Sequence, residues 1–221
     1  MRYNSQIETF INIITDRYAV RQNPVILDVG CGNGMEAAYL NILLGAKVHG
    51  IDVVDDFDAW AATKAHLITY NGVAIPFPDD SFDIVYAYHV LEHVEDVPTL
   101  LGQVVRVLKS SGIAYFGTPN KQRLFGYFGM NDKALSTKLK QNARDWLDRF
   151  FDRFENNRGA HAGFRKKELE KMLSCYFSRV SVVTDQYYHF KWPHRRSAIH
   201  IIKKLGLFNL FTPSVYVIGT K

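Results

Sequence analysis

Apolar residues recur along this chain at two different periods, and the alternation of those periods predicts alternating helices and strands. Ile7, Phe10, Ile11, Ile14 and Tyr18 fall at helical spacing, so an amphipathic helix is expected over 5–20. Asn23-Pro24 breaks that pattern. The run 25–29, apolar except for Asp28, reads as a buried strand. Glycines at 30, 32 and 34 form a loop, and 35–40 reads as a helix that ends near Gly45. A second strand at 47–52 closes on Asp52; a short helix near 59–64 and a short third strand at 66–69 follow. Pro76 and Pro78 force an extended loop before a fourth buried strand at 84–88. Leu101, Val104, Val105 and Leu108 recur at i, i+3, i+4 and i+7 and predict a helix, with a fifth strand at 113–116.

Beyond residue 120 the pattern changes. Residues 121–128 are aromatic and basic, and a polar helix carrying Arg144, Trp146, Leu147, Phe150 and, farther on, Arg153 and Phe154 is expected next. A helix around Glu168, Leu169 and Leu173 precedes two last strands, at 180–183 and 215–218. Between those strands lies an excursion, 185–213. Its segment 187–196 mixes aromatic rings with positive charge, and a helix at 197–207 sets Ala198, Ile201, Ile202 and Leu205 on one stripe.

The 221 residues are 47% hydrophobic, enough for one domain over 1–221. Its parts are an N-terminal helix (1–22), a core (23–120), an insertion (121–165) and a C-terminal helix with a strand pair (166–221). No apolar run approaches the ~20 residues that span a bilayer, and the first residues carry no leader-type hydrophobic stretch, so a cytoplasmic protein is expected. Cys31 and Cys175 suggest neither a disulfide framework nor a zinc site. Charge divides the chain sharply. Residues 1–120 hold 7 Lys+Arg against 14 Asp+Glu, whereas residues 121–221 hold 20 against 8. The basic half points to an anionic partner.

The first strand, the glycine loop and the helix N-terminus behind it make a cradle for a polar cofactor, because glycine admits positive φ and leaves the backbone bare. Dinucleotide sites space their glycines G-x-G-x-x-G, but Met35 stands where the third would fall. Asp52, 18 residues after Gly34, is placed where such α/β units put the carboxylate that accepts two ribose hydroxyls.

The G-x-G-x-G loop with Asp28 in its strand resembles motif I of the class I S-adenosylmethionine-dependent methyltransferases. Residues 71–85, Asn-Gly-Val-Ala-Ile-Pro-Phe-Pro-Asp-Asp-Ser-Phe-Asp-Ile-Val, resemble a segment of the ubiquinone and menaquinone type of that family. Residues 90–94 and 106–112 continue the likeness. The resemblance implies a Rossmann-like α/β fold: a seven-stranded mixed sheet in the order 3-2-1-4-5-7-6, strand 7 antiparallel, helices on both faces and a substrate lid in the insertion 121–165. It implies S-adenosyl-L-methionine as cofactor, held by Asp28, Gly30, Cys31, Gly32, Gly34, Asp52, Val53, Asn71, Gly72 and His89. In the family an acid at the position of Asn71 contacts the adenine amine; an amide oxygen can also accept there. The activity it implies is methyl transfer, with oxygen favoured, to a small or lipid-linked acceptor of glycan or quinone type.

His89, His93 and, by the family's layout, His161 are the general-base candidates, since a neutral imidazole can take a hydroxyl proton. Residues 89–93 also spell H-x-x-E-H, a metallopeptidase signature. Its surroundings are a methyltransferase fourth strand, so peptidase chemistry is not expected. Some quinone-pathway relatives bind a divalent metal through E-x-x-E-H; His89, Glu92 and His93 are the matching positions, but a histidine ligand suits magnesium poorly and no metal is expected. The rival readings are a cofactor-binding relative without catalysis and an RNA methyltransferase, although no stacking platform for nucleic acid is recognisable. The basic excursion 185–213 further suggests peripheral contact with an anionic membrane surface.

Overall fold

The computed structural model describes residues 5–124, 134–151 and 163–221. Its strands are β1 (Val25–Val29), β2 (Lys47–Asp52), β3 (His66–Thr69), β4 (Phe82–Tyr88), β5 (Leu108–Pro119), β6 (Arg179–Val182) and β7 (Ser214–Thr220). They form one sheet in the order β3-β2-β1-β4-β5-β7-β6. The β1–β2, β1–β4, β2–β3 and β4–β5 pairs are parallel, and β7 runs antiparallel to both β5 and β6. Topology and strand order are those the resemblance implied.

Central parallel strands are covered on both faces, which is why β1 and β4 read as apolar runs interrupted by one aspartate each, Asp28 and Asp83. Within β4, Ile84 and Tyr86 face one core, and Val85 and Ala87 face the other. The helices are α1 (Ser5–Arg17), α2 (Met35–Leu44), α3 (Val97–Val107), α4 (Leu135–Phe150), α5 (Lys166–Leu173), α6 (Thr184–Lys191), α7 (Arg196–Lys204) and α8 (Phe208–Phe211). Residues of α1, α2, α6 and α7 pack into the core beneath Tyr86, while α3 and α5 pack into the opposite one. The helix expected at 59–64 is a single 3₁₀ turn, Ala61–Thr63. The fifth strand is far longer than 113–116, because all of 114–119 is buried and pairs with β7.

The excursion departs most from expectation. It opens on α6, which buries Tyr187 and Tyr188 against Tyr216 of β7. Farther on, Ile199 faces inward, while Ala198, Ile201 and Leu205 of the expected stripe are exposed. The helix expected to carry Arg153 and Phe154 ends at Phe150; those two residues and His161 lie outside the described residues.

Candidate active site

The sheet reverses strand order between β1 and β4, and a cleft of about 590 Å³ opens over their carboxyl ends, the place where open α/β sheets bind ligands. Gly30, Asp52, Val53, Tyr70, Gly72 and Val73 line one part of it, and His89, Val90 and His93 another. Gly30, Gly32 and Gly34 all take positive φ, at 67°, 53° and 81°. At Gly30 and Gly34 a Cβ would fall 2.5 Å from Val90 and 2.4 Å from Leu67, so the loop presses directly against its neighbours. At Gly32 a Cβ would meet nothing within 4 Å, which leaves bare backbone beside open space.

Asp52 ties this loop to the end of β2. Its Oδ2 accepts from the Gly32 N–H at 2.7 Å and its Oδ1 from the Val54 N–H at 3.1 Å. Each carboxylate oxygen has a second lone pair, so Asp52 retains capacity for a pair of hydroxyls.

Asp28 is the test of fit. It is buried beside the loop, and its Oδ2 has no hydrogen-bond partner among the described residues. Burial, reinforced by the nearby charges of Glu36 and Asp52, pushes its carboxyl well above the usual range. An orphaned buried oxygen, with two further carboxylates near enough to raise its pKa, is a site for positive charge. S-adenosylmethionine brings a sulfonium and an ammonium group, so the residues present fit it.

At the other end of the cleft rim, Asn71 caps its own turn. Its Oδ1 accepts from the N–H groups of Val73 and Ala74, both at 3.0 Å, an Asx turn that occupies the oxygen expected to face an adenine amine. Gly72, at φ 77°, and Val53, 59% exposed, do line the cleft.

His89 stands where β4 ends. Its backbone is left-handed, φ 57°, and its N–H donates to the Gly117 carbonyl at 2.7 Å, so a strained conformation is held by β5. Its Nδ1 lies 2.8 Å from Glu92 Oε1. The Glu92 side chain is wholly buried, with Oε2 unpartnered among the described residues. A carboxylate on Nδ1 selects the tautomer with the proton there and leaves the lone pair on Nε2. The H-x-x-E-H residues are therefore not three ligands on one helical face: His89 is on a strand end and Glu92 and His93 are on the 3₁₀ turn Leu91–His93. Among the described residues no group of three His, Cys, Asp or Glu side chains converges as a metal site. The role of Glu92 as His89's partner was not legible in the motif, because it depends on the reversed backbone at His89.

Arg123, which sequence reasoning passed over, anchors the insertion. It is buried, and its guanidinium meets the buried Asp145 carboxylate of α4 at 2.8 Å and the Asn120 carbonyl at 3.1 Å. The Trp146 Nε1–H donates to the Leu124 carbonyl at 3.0 Å, and the Leu124 N–H donates to the Leu210 carbonyl of α8 at 2.7 Å. Both α4 and α8 thus hang on the segment that leaves β5.

Residues 27–116 match the family model described as a methyltransferase domain. Over 102 residues the chain is 40% identical to a ubiquinone biosynthesis O-methyltransferase of Rhodopseudomonas palustris, covering 43% of this chain and 40% of that protein. The chain spans about two fifths of the length of the curated relatives it matches in this way. In fold it is similar to a SAM-dependent methyltransferase from Archaeoglobus fulgidus, with TM-score 0.62 and 18% identity over 100% of this chain and 96% of that one. It is also similar to a phosphoethanolamine N-methyltransferase of Haemonchus contortus in complex with S-adenosyl-L-methionine, with TM-score 0.56 and 14% identity over 96% of this chain and 51% of that one.

Proposed function

We propose that this chain, whose residues 27–116 match the methyltransferase-domain model, is an S-adenosylmethionine-dependent methyltransferase that methylates a hydroxyl oxygen on a small or lipid-linked acceptor of quinone or glycan type. The observation that carries this reading is the His89–Glu92 pair at the cleft, 2.8 Å apart with its carboxylate fully buried. The R. palustris relative, which is named for O-methylation, supports the choice of oxygen.

When bound, the cofactor supplies a methyl group already activated on its sulfonium. The protein's own work is then to hold and to deprotonate. Asp52 would accept from the ribose hydroxyls, Asp28 would balance the ammonium group, and the glycine loop would admit the amino-acid portion. His89 would take the acceptor hydroxyl's proton on Nε2. Glu92 stabilises the imidazolium that results. His93 lines the same cleft and orients the acceptor. The enzyme acts at the cytoplasmic side, where the acceptor is presented from solution or from a membrane surface.

Initial rates with a panel of phenolic and catechol acceptors test this. His89→Gln is expected to lower kcat by about 10²–10⁴-fold, the usual contribution of a general base. Glu92→Gln should lower kcat and move the pH–rate profile with KM for the cofactor little changed. Wild-type activity confined to amines or RNA, or unimpaired methylation by His89→Gln, contradicts the assignment; cofactor binding without turnover on any acceptor favours a binding role.

A further inference from the structure

α4 is built inside out. Its buried positions are the polar Asn142 and Asp145, whereas Leu135, Leu139, Trp146, Leu147 and Phe150 stand exposed, Phe150 at 82%. At 3.6 residues per turn, Leu135, Leu139, Trp146 and Phe150 form one continuous stripe. A second exposed apolar group lies on and just after α7: Ile201, Leu205, Leu207 and Phe211. Exposed apolar residues grouped in this way on a protein surface mark an interaction site.

The two groups share an anchor. Arg123 grips Asp145, Leu124 accepts from Trp146, and the same Leu124 donates to Leu210. This segment begins three residues beyond Gly117, whose carbonyl receives the His89 N–H, so both apolar groups are tethered at the carboxyl edge where the cleft opens. Cations flank both: Lys138, Lys140 and Arg144 on α4, and Arg196, Lys203 and Lys204 on α7. The acids of α4 are Asp145, buried against Arg123, and Asp148, 3.8 Å from Arg144. α7 contains no acid, although Lys203 pairs with Asp185 of α6. Bulky rings and branched chains bordered mainly by positive charge are complementary to a surface that is hydrocarbon within and phosphate at its rim.

We infer that α4, α7 and α8 together form a membrane-docking face that lays its apolar residues into the headgroup boundary of an anionic bilayer. Lys and Arg would meet the lipid phosphates, and the cleft would be held close to the bilayer. The inference concerns the surface, and it holds whether the methyl acceptor is soluble or lipid-linked.

Vesicle flotation of the full chain tests it, with phosphatidylcholine alone and with about one third phosphatidylglycerol added. Wild type is expected on the anionic vesicles at low salt and to leave them as salt rises. Its tryptophan emission should be quenched by lipids brominated along the acyl chain, and Trp146→Phe should lose most of that quenching. Phe150→Ser should weaken partitioning by about tenfold, the effect of one aromatic side chain withdrawn from hydrocarbon. Lys140→Glu combined with Lys204→Glu should weaken it at least as much. Circular dichroism should match wild type in each variant, because all these side chains are exposed. No retention of wild type, or equal retention of every variant, overturns the proposal. So does a solution dimer that Phe150→Ser makes monomeric without vesicle binding, since the face would then cover a second copy. Methylation of a soluble phenol without vesicles reads the His89 chemistry separately, so the two failures are distinguishable.

Discussion

Asp145→Ala should detach α4 while leaving the sheet folded. The Arg123–Asp145 pair is almost fully buried, with side chains 6% and 1% exposed. Removing one partner of a buried ion pair costs about 3–5 kcal/mol, because the remaining charge is stranded. Arg123 keeps the Asn120 carbonyl at 3.1 Å, which sets the expected loss near the lower end, about 3 kcal/mol. α4 has little with which to offset that loss, since its apolar side chains are exposed. The Trp146–Leu124 hydrogen bond contributes only about 1 kcal/mol. Amide hydrogen exchange resolved by peptide is the assay. Residues 139–150 should lose protection by about a hundredfold, at tenfold per 1.4 kcal/mol, while β1 and β4 keep theirs. Arg123→Met with Asp145→Leu should recover much of the loss, as apolar replacement of both partners is tolerated. Unchanged protection in α4, or loss shared equally by β1 and β4, refutes the reasoning.

Three further outcomes follow from particular contacts. Gly163→Ala would place a Cβ 1.9 Å from the Pro119 carbonyl oxygen at φ 62°; the left-handed strain and the backbone clash together should lower stability by about 2–5 kcal/mol in denaturant titration. His49, against His66 with Nδ1 atoms 3.2 Å apart, has its pKa lowered by burial first and then by His66 and Lys47. The unfolded chain then binds the proton more readily, so stability is full above the ordinary pKa of 6.5 and falls as pH drops below it; thermal midpoints from pH 8 to 5 should show this slope, smaller in His66→Gln. Asp28→Asn should raise the thermal midpoint of the ligand-free protein at neutral pH, because the raised carboxyl pKa makes its ionised form a burden there, while weakening S-adenosylmethionine binding in calorimetry.

The amino-terminal half was legible because its strands are doubly covered and its turns need glycine. An apolar run at 25–29 with one acid inside it, three glycines at alternate positions and an acid at 52 have few other structural solutions. The C-terminal half was harder to read for an equally physical reason. α6 has no clean apolar period: it buries Tyr187 and Tyr188, whose packing is decided by Tyr216, a residue 28 and 29 positions away. α4 has an apolar period, but that period misleads about which side faces inward, since a buried Arg123–Asp145 pair fixes the neighbouring face instead. At the cleft, Asp52 could be named from spacing and His89 from the family resemblance. The partnership of His89 with Glu92 and the capture of the Asn71 oxygen by its own turn depend on backbone angles that spacing does not encode.

Calorimetric titration of S-adenosylmethionine into wild type and Asp52→Ala tests the central claim most directly. Saturable binding to wild type is expected and, with the carboxylate proposed to receive both ribose hydroxyls removed, an affinity lower by about one to two orders of magnitude, the range for losing charged hydrogen bonds. The folded state of Asp52→Ala, checked by its thermal midpoint, should survive, because the residue lies at the open end of β2. Absence of binding in wild type, or equal affinity in the two proteins, would contradict the placement of the cofactor in this cleft.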